Sequence, residues 1–185
     1  MPTSPHPDRE QQRVAELVAS LMRDVPDFPQ PGVLFKDFTP LLSDGAALVQ
    51  VIDDIARRRR RGEVDVVVGM EARGFILGAA VAYALGVGFV PVRKAGKLPG
   101  ATVTEDYTLE YGSATLEMHQ DALRRGQRVL VLDDVLATGG TAAATCRLVE
   151  QCGATVAACE FVLEIDALGG RSQLVDRVVS SLLRA

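Results

Sequence analysis

The sequence is poor in the residues that most often bring metal or redox chemistry to a site. It contains three cysteines, two histidines and no tryptophan among 185 residues. The cysteines Cys146, Cys152 and Cys159 are odd in number, and their spacing does not match a zinc site. Cys146 and Cys159 fall in helix and strand patterns, which predicts small buried hydrophobic residues and a reducing compartment. Neither His6 nor His119 has a nearby partner that would make it a catalytic base.

An excess of one charge and long apolar runs are also lacking. The chain carries 20 basic and 24 acidic residues, a formal net charge of −4. Its bulk charge therefore favours neither nucleic acid nor an anionic membrane as a partner. No apolar run approaches the roughly 20 residues of a membrane span, and the first eight residues lack the apolar centre of a signal peptide. We expect a soluble cytoplasmic protein in which a local basic cluster holds any anionic substrate.

What is present is an alternation of helix and strand patterns. With 48% hydrophobic residues, the chain suits a single domain over 1–185, in which 1–10 are loosely ordered. The alternation predicts an α/β fold with a mostly parallel sheet flanked by helices. Residues 102–118 read as a hairpin outside the main sheet, and Ser43 as the N-cap of the helix before the first sheet strand. Ligands of such sheets bind beyond the carboxyl ends of the strands.

The most informative strand end is followed by two acids and a glycine-rich turn. An apolar strand runs into Asp133 and Asp134, and Ala137-Thr138-Gly139-Gly140-Thr141 then opens a helix. Glycine lets backbone N–H groups converge on an anion, and the helix N-terminus adds partial positive charge. The pattern predicts a phosphate site, with the acids as acceptors for sugar hydroxyls. No lysine follows the glycines, so the turn is not a P-loop.

Two further strand ends supply basic residues. Arg73 opens the helix after one strand, and Arg93, Lys94 and Lys97 follow the next. Together they form the basic cluster that an acidic protein needs for a polyanion. The run Arg57–Arg61 ends a helix, where cations complement the dipole, and is interpreted as a solvated helix end.

These segments together resemble the adenine phosphoribosyltransferases of the type I phosphoribosyltransferase family. The run Asp133–Thr141 resembles the motif that binds phosphoribosyl pyrophosphate (PRPP), and Glu71–Phe75 resembles the pyrophosphate loop. Pro26–Asp37 resembles the base-binding segment, and Arg93–Gly112, with its Leu-Glu-Tyr-Gly element, resembles the mobile catalytic loop. The order and spacing hold from about Asp24 to Gly170.

The resemblance implies a reaction in which adenine and PRPP form AMP and pyrophosphate in purine salvage. It also implies Mg²⁺ as cofactor, held mainly through PRPP with Asp133 and Asp134 as further contacts rather than by a dedicated protein site, and a homodimer. The implied site residues are Asp133, Asp134, Ala137, Thr138, Gly139, Gly140 and Thr141 for PRPP; Arg73, Arg93, Lys94 and Lys97 for pyrophosphate; Leu34, Phe35, Lys36 and Val135 for adenine; and Glu110, Tyr111 and Arg73 for catalysis.

Two alternatives remain open at this stage. The phosphate loop alone also allows a phosphoribosyltransferase for another base, such as xanthine, guanine or orotate; the Leu109–Gly112 segment argues against it. The same fold could instead serve a PRPP-sensing regulator without catalysis. The ~24 residues before the resemblance begins are too few for a usual helix-turn-helix domain.

Overall fold

The computed structural model describes residues 9–28, 30–60, 62–108 and 113–185. The chain divides into two compact units, Met1–Asp54 and Ile55–Ala185, with the boundary inside a helix. The single domain expected over 1–185 stays a prediction. Within the described residues no helix is long and apolar enough to cross a membrane.

The first unit contains helices and a small hairpin. The helices are α1 (Arg9–Leu21), α2 (Thr39–Ser43) and the start of α3 (Gly45–Arg57), and the hairpin pairs β1 (Arg23–Pro26) with β2 (Leu34–Asp37).

The cap of α3 differs from the prediction. The Asp44 carboxylate accepts the N–H groups of Ala46 and Ala47, at 3.0 Å each, whereas Ser43 is the last residue of α2. Asp44 is preferred because its carboxylate reaches two otherwise unpaired amides of the first turn.

The second unit is built on a seven-stranded sheet with the order β5-β6-β4-β3-β7-β8-β9. Its strands are β3 (Val66–Met70), β4 (Gly88–Lys94), β5 (Thr102–Thr108), β6 (Ser113–His119), β7 (Arg128–Leu136), β8 (Thr155–Glu164) and β9 (Val179–Arg184). Strands β4, β3, β7, β8 and β9 are parallel. The continuous β-branched run of β3 is buried at every position, as a central parallel strand requires.

Two helices flank this sheet. Helix α4 (Arg73–Leu85) packs on β3, β4 and β7, and α5 (Gly140–Gln151) packs on β7 and β8 and on the β5–β6 hairpin. The two crossovers run in opposite directions along the strand order, so right-handed connections place α4 and α5 on opposite faces. The predicted α/β class with a mostly parallel, helix-flanked sheet is confirmed. Two short 3-10 turns, Asp166–Leu168 and Gly170–Gln173, precede β9.

The predicted hairpin exists, but it does not lie outside the main sheet. Strand β6 pairs antiparallel with the end of β4, Arg93 opposite Glu117 and Lys94 opposite Leu116, and β5 pairs with β6. The hairpin is also tied to α5, because Glu105 on β5 pairs with Arg147. It joins the sheet because its inner residues Leu116 and Met118 are buried in the same core as β4.

The arginine run after α3 is only partly solvated. Arg60 is exposed, but the side chains of Arg58 and Arg59 are 14% and 12% exposed and both pair with Glu160, which is fully buried on β8. The interpretation as a solvated helix end is therefore wrong for Arg58 and Arg59. A buried carboxylate at this position requires positive partners, and the helix end supplies two.

Candidate active site

A small cavity lies where β7 ends and α5 begins. Its volume is about 80 Å³, room for several water-sized groups. It is lined by Asp133, Phe161 and the continuous stretch Val135–Ala142. Gly139 has a φ of 84°, a left-handed conformation that suits glycine. The turn delivers the first amides of α5 to the cavity, which is the arrangement that binds a phosphate.

Two adjacent carboxylates stand beside this cavity. Asp133 is half-buried and lines it, and the adjacent Asp134 is buried. The N–H of Asp134 donates to the Asp133 carboxylate at 2.9 Å. Burial, together with the negative charge of Asp134, raises the pKa of Asp133 well above its usual value. The site therefore holds an acid that would be stabilised by a cation or by a hydroxyl donor.

The start of α4 approaches the same two acids. The Arg73 Nε atom lies 2.9 Å from Oδ2 of Asp134. The approach depends on Gly74, because a Cβ atom there would lie 2.8 Å from Oδ1 of Asp133 and 3.0 Å from the Leu132 carbonyl oxygen. The structure thus brings together Arg73 and the acidic pair, which sequence analysis had placed on separate strand ends.

Two more of the predicted basic residues converge on one carboxylate. Arg93 Nε and Lys97 Nζ donate to Glu71 at 3.1 and 2.8 Å. Burial raises the pKa of Glu71, but hydrogen bonds from Lys97 and Arg93 outweigh it and leave the pKa below its usual value. Glu71 is therefore an anion that holds both cations close to the start of α4. Lys94 is exposed at the end of β4.

A second buried carboxylate shapes the loop that carries Lys97. Glu117 on β6 is 4% exposed, and its Oε1 accepts the N–H groups of Lys97 and Leu98, both at 2.7 Å. The side chain thereby fixes the backbone after β4. Burial opposes the charged form, but the backbone donors outweigh it, so the pKa of Glu117 is lowered.

The predicted adenine residues are divided between the two units. Leu34, Phe35 and Lys36 lie on β2 of the first unit, where Lys36 Nζ pairs with Asp24 at 2.7 Å. The Phe35 ring packs edge-to-face with Phe28, with ring centroids 5.1 Å apart. Val135 is half-buried on β7 of the second unit, where it lines the cavity described above.

Comparison with known proteins extends these observations. The family model described as a phosphoribosyl transferase domain matches residues 42–180. The adenine phosphoribosyltransferase of Salinispora tropica is 63% identical over 169 residues, which cover 91% of this chain and 90% of that relative. The chain belongs to the adenine phosphoribosyltransferase family. The predicted family and the predicted enzyme class, a phosphoribosyltransferase, are confirmed.

Solved structures of this family share the fold. An adenine phosphoribosyltransferase from Thermoanaerobacter pseudethanolicus superposes with a TM-score of 0.90 at 46% identity, covering 92% of this chain and 99% of that one. The Saccharomyces cerevisiae enzyme, complexed with D-2,5-dideoxy-2,5-imino-altritol 1,6-bisphosphate and adenine, gives a TM-score of 0.86 at 40% identity, covering 93% and 99%.

The roles of individual residues in this family member stay predictions. Glu110 and Tyr111 lie outside the described residues. Among the described residues there is no group of three or more His, Cys, Asp or Glu side chains that could hold a metal. The adjacent pair Asp133 and Asp134 nevertheless fits a divalent cation brought by a ligand, because positive charge there favours the ionised form of Asp133, which burial and the neighbouring Asp134 disfavour.

Sequence analysis missed two acids of the site, Glu71 and Glu117. Glu71 had a signal, since it lies in the same motif as Arg73, but its partners come from the next strand end. Glu117 had none, because its hydrogen-bond partners Lys97 and Leu98 lie 20 and 19 residues away on another element.

Proposed function

We propose that the chain transfers the phosphoribosyl group of PRPP to adenine, forming AMP and releasing pyrophosphate in purine salvage. The observation that carries the proposal is the convergence of a phosphate cavity, an acidic pair and Arg73 at the carboxyl ends of β7 and β3. The family supports it: relatives are named for adenine, and the yeast structure holds adenine with a sugar-like bisphosphate.

Each part of PRPP is assigned to one group of residues. Ala137–Thr141 bind the 5′-phosphate through backbone N–H groups and hydroxyls. Asp133 and Asp134 accept hydrogen bonds from the ribose hydroxyls. The pyrophosphate is neutralised by Arg73, Arg93, Lys94 and Lys97. Three of these four cations lie close together in the structure, where Arg73 pairs with Asp134 and the other two pair with Glu71.

The chemistry requires stabilisation of a departing anion. The bond between ribose C1 and pyrophosphate breaks, positive charge develops on the sugar, and a ring nitrogen of adenine forms the new bond. Cations already fixed in place stabilise the leaving group without reorganisation. Mg²⁺, brought by PRPP and held with the help of Asp133 and Asp134, would supply further positive charge to stabilise the leaving group. The protein's own task is to hold the basic residues and to exclude water, which would otherwise attack the sugar.

Adenine is assigned to Leu34, Phe35 and Lys36 of β2. Phe35, supported by Phe28, offers an apolar ring surface, and Leu34 is half exposed beside it. These features suit one face of a flat base. The polar edge of adenine is assigned to backbone groups of the same segment.

Glu110 is assigned to proton transfer and Tyr111 to positioning the loop that carries both. Replacing Glu110 by Gln removes the titrating group but keeps its size. We expect kcat to fall by about 100-fold or more, with a much smaller change in KM for PRPP. An unchanged kcat would remove Glu110 from the mechanism.

The test of the function is AMP formation from adenine, PRPP and Mg²⁺, with hypoxanthine and guanine in parallel. Product from adenine alone is expected. Product from an oxopurine alone would keep the chemistry and overturn the base assignment. No product from any base, in protein that binds PRPP, would favour a regulator of the same fold. Omitting Mg²⁺ is expected to abolish AMP formation.

We further propose a homodimer and a cytoplasmic location. Helix α4 carries no charged residue after Arg73, and Ile76 and Tyr83 on its outer face are 50% and 90% exposed. An exposed apolar stripe of this kind marks an interaction surface. We assign a second copy of the chain as the partner for this surface, because an uncharged patch avoids repulsion between two acidic chains. The three cysteines are free thiols, as suits a reducing compartment.

A further inference from the structure

The 3-10 turn Gly170–Gln173 is in backbone contact with the phosphate loop Ala137–Thr141. Gly170 is buried. A Cβ atom on Gly170 would overlap the carbonyl oxygen of Ala137 and lie 2.9 Å from the Gly139 nitrogen. Reciprocally, a Cβ atom on Gly139 would overlap the Gly170 carbonyl oxygen and lie 3.0 Å from Cβ of Gln173. The two backbones leave no room for a methyl group on either side.

The turn itself is clamped to the edge of the sheet through Arg171. Its Nε and Nη2 atoms donate to the two carboxylate oxygens of Glu164 at 2.8 and 2.5 Å, and Nη1 donates to the Val179 carbonyl at 2.9 Å. Glu164 is 3% exposed at the end of β8 and also accepts from the Ser181 hydroxyl at 2.8 Å. Arg171 lowers the pKa of Glu164, which keeps the clamp ionised.

We propose that Gly170 is a positioning residue for the 5′-phosphate: the clamped turn fixes the backbone of Ala137–Gly139, and with it the amides that bind the phosphate. This inference rests on the proposed function of the loop. Recognition by backbone N–H groups tolerates displacements of only about 0.5 Å. A glycine-rich loop is flexible by itself, so it needs an external support to keep its amides within this distance. The turn supplies that support through main-chain contact.

The contribution of Gly170 to binding is expected to be specific to the 5′-phosphate end of the substrate. The cations assigned to pyrophosphate are held by Asp134 and Glu71, not by the turn. Displacing the phosphate loop should therefore weaken ligands that carry a 5′-phosphate and leave pyrophosphate binding unchanged. A residue that only stabilised the fold would weaken both.

The test compares Gly170→Ala with Gly169→Ala in the full chain. Gly169 has a φ of 64° and open space around its Cα, so alanine there is strained but touches nothing. Calorimetric titration with AMP and with pyrophosphate, both with Mg²⁺, gives the two affinities, and steady-state kinetics give kcat and KM. For Gly170→Ala we expect a rise of about tenfold or more in the AMP Kd and the PRPP KM, with the pyrophosphate Kd within about twofold. Gly169→Ala should stay within about twofold of wild type in all three.

A Gly170→Ala variant that binds AMP as tightly as Gly169→Ala, or loses AMP and pyrophosphate equally, would overturn the proposal. If Gly170→Ala does not fold, Arg171→Lys decides, because it loosens the clamp without adding an atom at the loop. A severalfold rise in the AMP Kd at constant pyrophosphate Kd is expected; a folded variant with wild-type AMP affinity overturns the proposal. Failure of the proposed function is separate, since it appears as wild-type protein that makes no AMP.

Discussion

Asp133 is the side chain at which function and stability oppose each other most directly. Burial and the neighbouring Asp134 raise its pKa, so the folded protein disfavours the ionised form. The pKa of Asp133 in the folded protein lies above the unfolded value near 3.8. The protonated side chain therefore contributes to stability fully below that unfolded value, and the contribution is lost as the pH rises through the raised pKa. Once ionised, the Asp133 side chain therefore destabilises the fold, and the proposed ligands offset that cost.

Replacing Asp133 by Asn is expected to stabilise the ligand-free protein at neutral pH by about 1–2 kcal/mol, since the amide oxygen can still accept from the Asp134 N–H. AMP formation should fall by about tenfold or more through loss of a charged acceptor. Thermal unfolding between acidic and neutral pH checks the sign, because the gain in Tm should grow as the pH rises.

The same substitution at Asp65 is the matched control. Hydrogen bonds from Arg128 lower the pKa of Asp65 to about 2, so its contribution is present above the unfolded value and lost on acidification. Asp65→Asn should therefore lower Tm at neutral pH, with a deficit that shrinks as the pH falls. A neutral-pH loss of Tm in Asp133→Asn would contradict this account of Asp133.

At the scale of elements, helix α3 has two neighbouring candidate N-cap residues, Ser43 and Asp44, of which only Asp44 accepts first-turn amides. Asp44→Ala removes the acceptor for two first-turn amides and is expected to cost about 1 kcal/mol. Ser43→Ala removes only a hydroxyl that donates to the Pro40 carbonyl at the end of α2, and should change the free energy of unfolding by less than about 0.5 kcal/mol. Urea unfolding midpoints measure both, and equal costs would return the cap to Ser43.

Elements that bury a continuous apolar segment could be predicted from the sequence, because the signal lies in consecutive residues. The strand Val66–Met70 and the stripe of α3 are examples. The place of the hairpin could not be predicted, since only two residue pairs join β6 to β4 and strand pairing leaves no local pattern. The same holds for Arg58 and Arg59, whose partner Glu160 lies 102 and 101 residues away.

The candidate site also has a part that could be predicted from consecutive residues and a part that could not. The phosphate loop and its two acids are contiguous, so their chemistry is visible in the sequence. The ion pairs of Glu71 join residues 22 and 26 positions apart, and the support of the loop by Gly170 comes from a turn more than one element further on. Both depend on how the sheet brings strand ends together.

At the scale of the whole molecule, the α4 face is where two copies are proposed to meet. Tyr83→Glu places a charge in the exposed apolar stripe of α4 and is expected to convert the proposed dimer to a monomer in sedimentation velocity. Val175→Glu is the matched control, because Val175 is also exposed, at 69%, but lies outside α4. Dissociation by Val175→Glu and not by Tyr83→Glu would move the interface away from α4.

Three of the four predicted pyrophosphate cations are already paired within the protein, Arg73 with Asp134 and both Arg93 and Lys97 with Glu71. To bind Arg73, Arg93 or Lys97, an arriving anion must therefore compete with a carboxylate, as an ion does on an exchange resin. A monovalent anion gains little from such an exchange, whereas a polyanion can engage several cations at once. We therefore expect the cluster to select polyanions over the monovalent ions of simple salt.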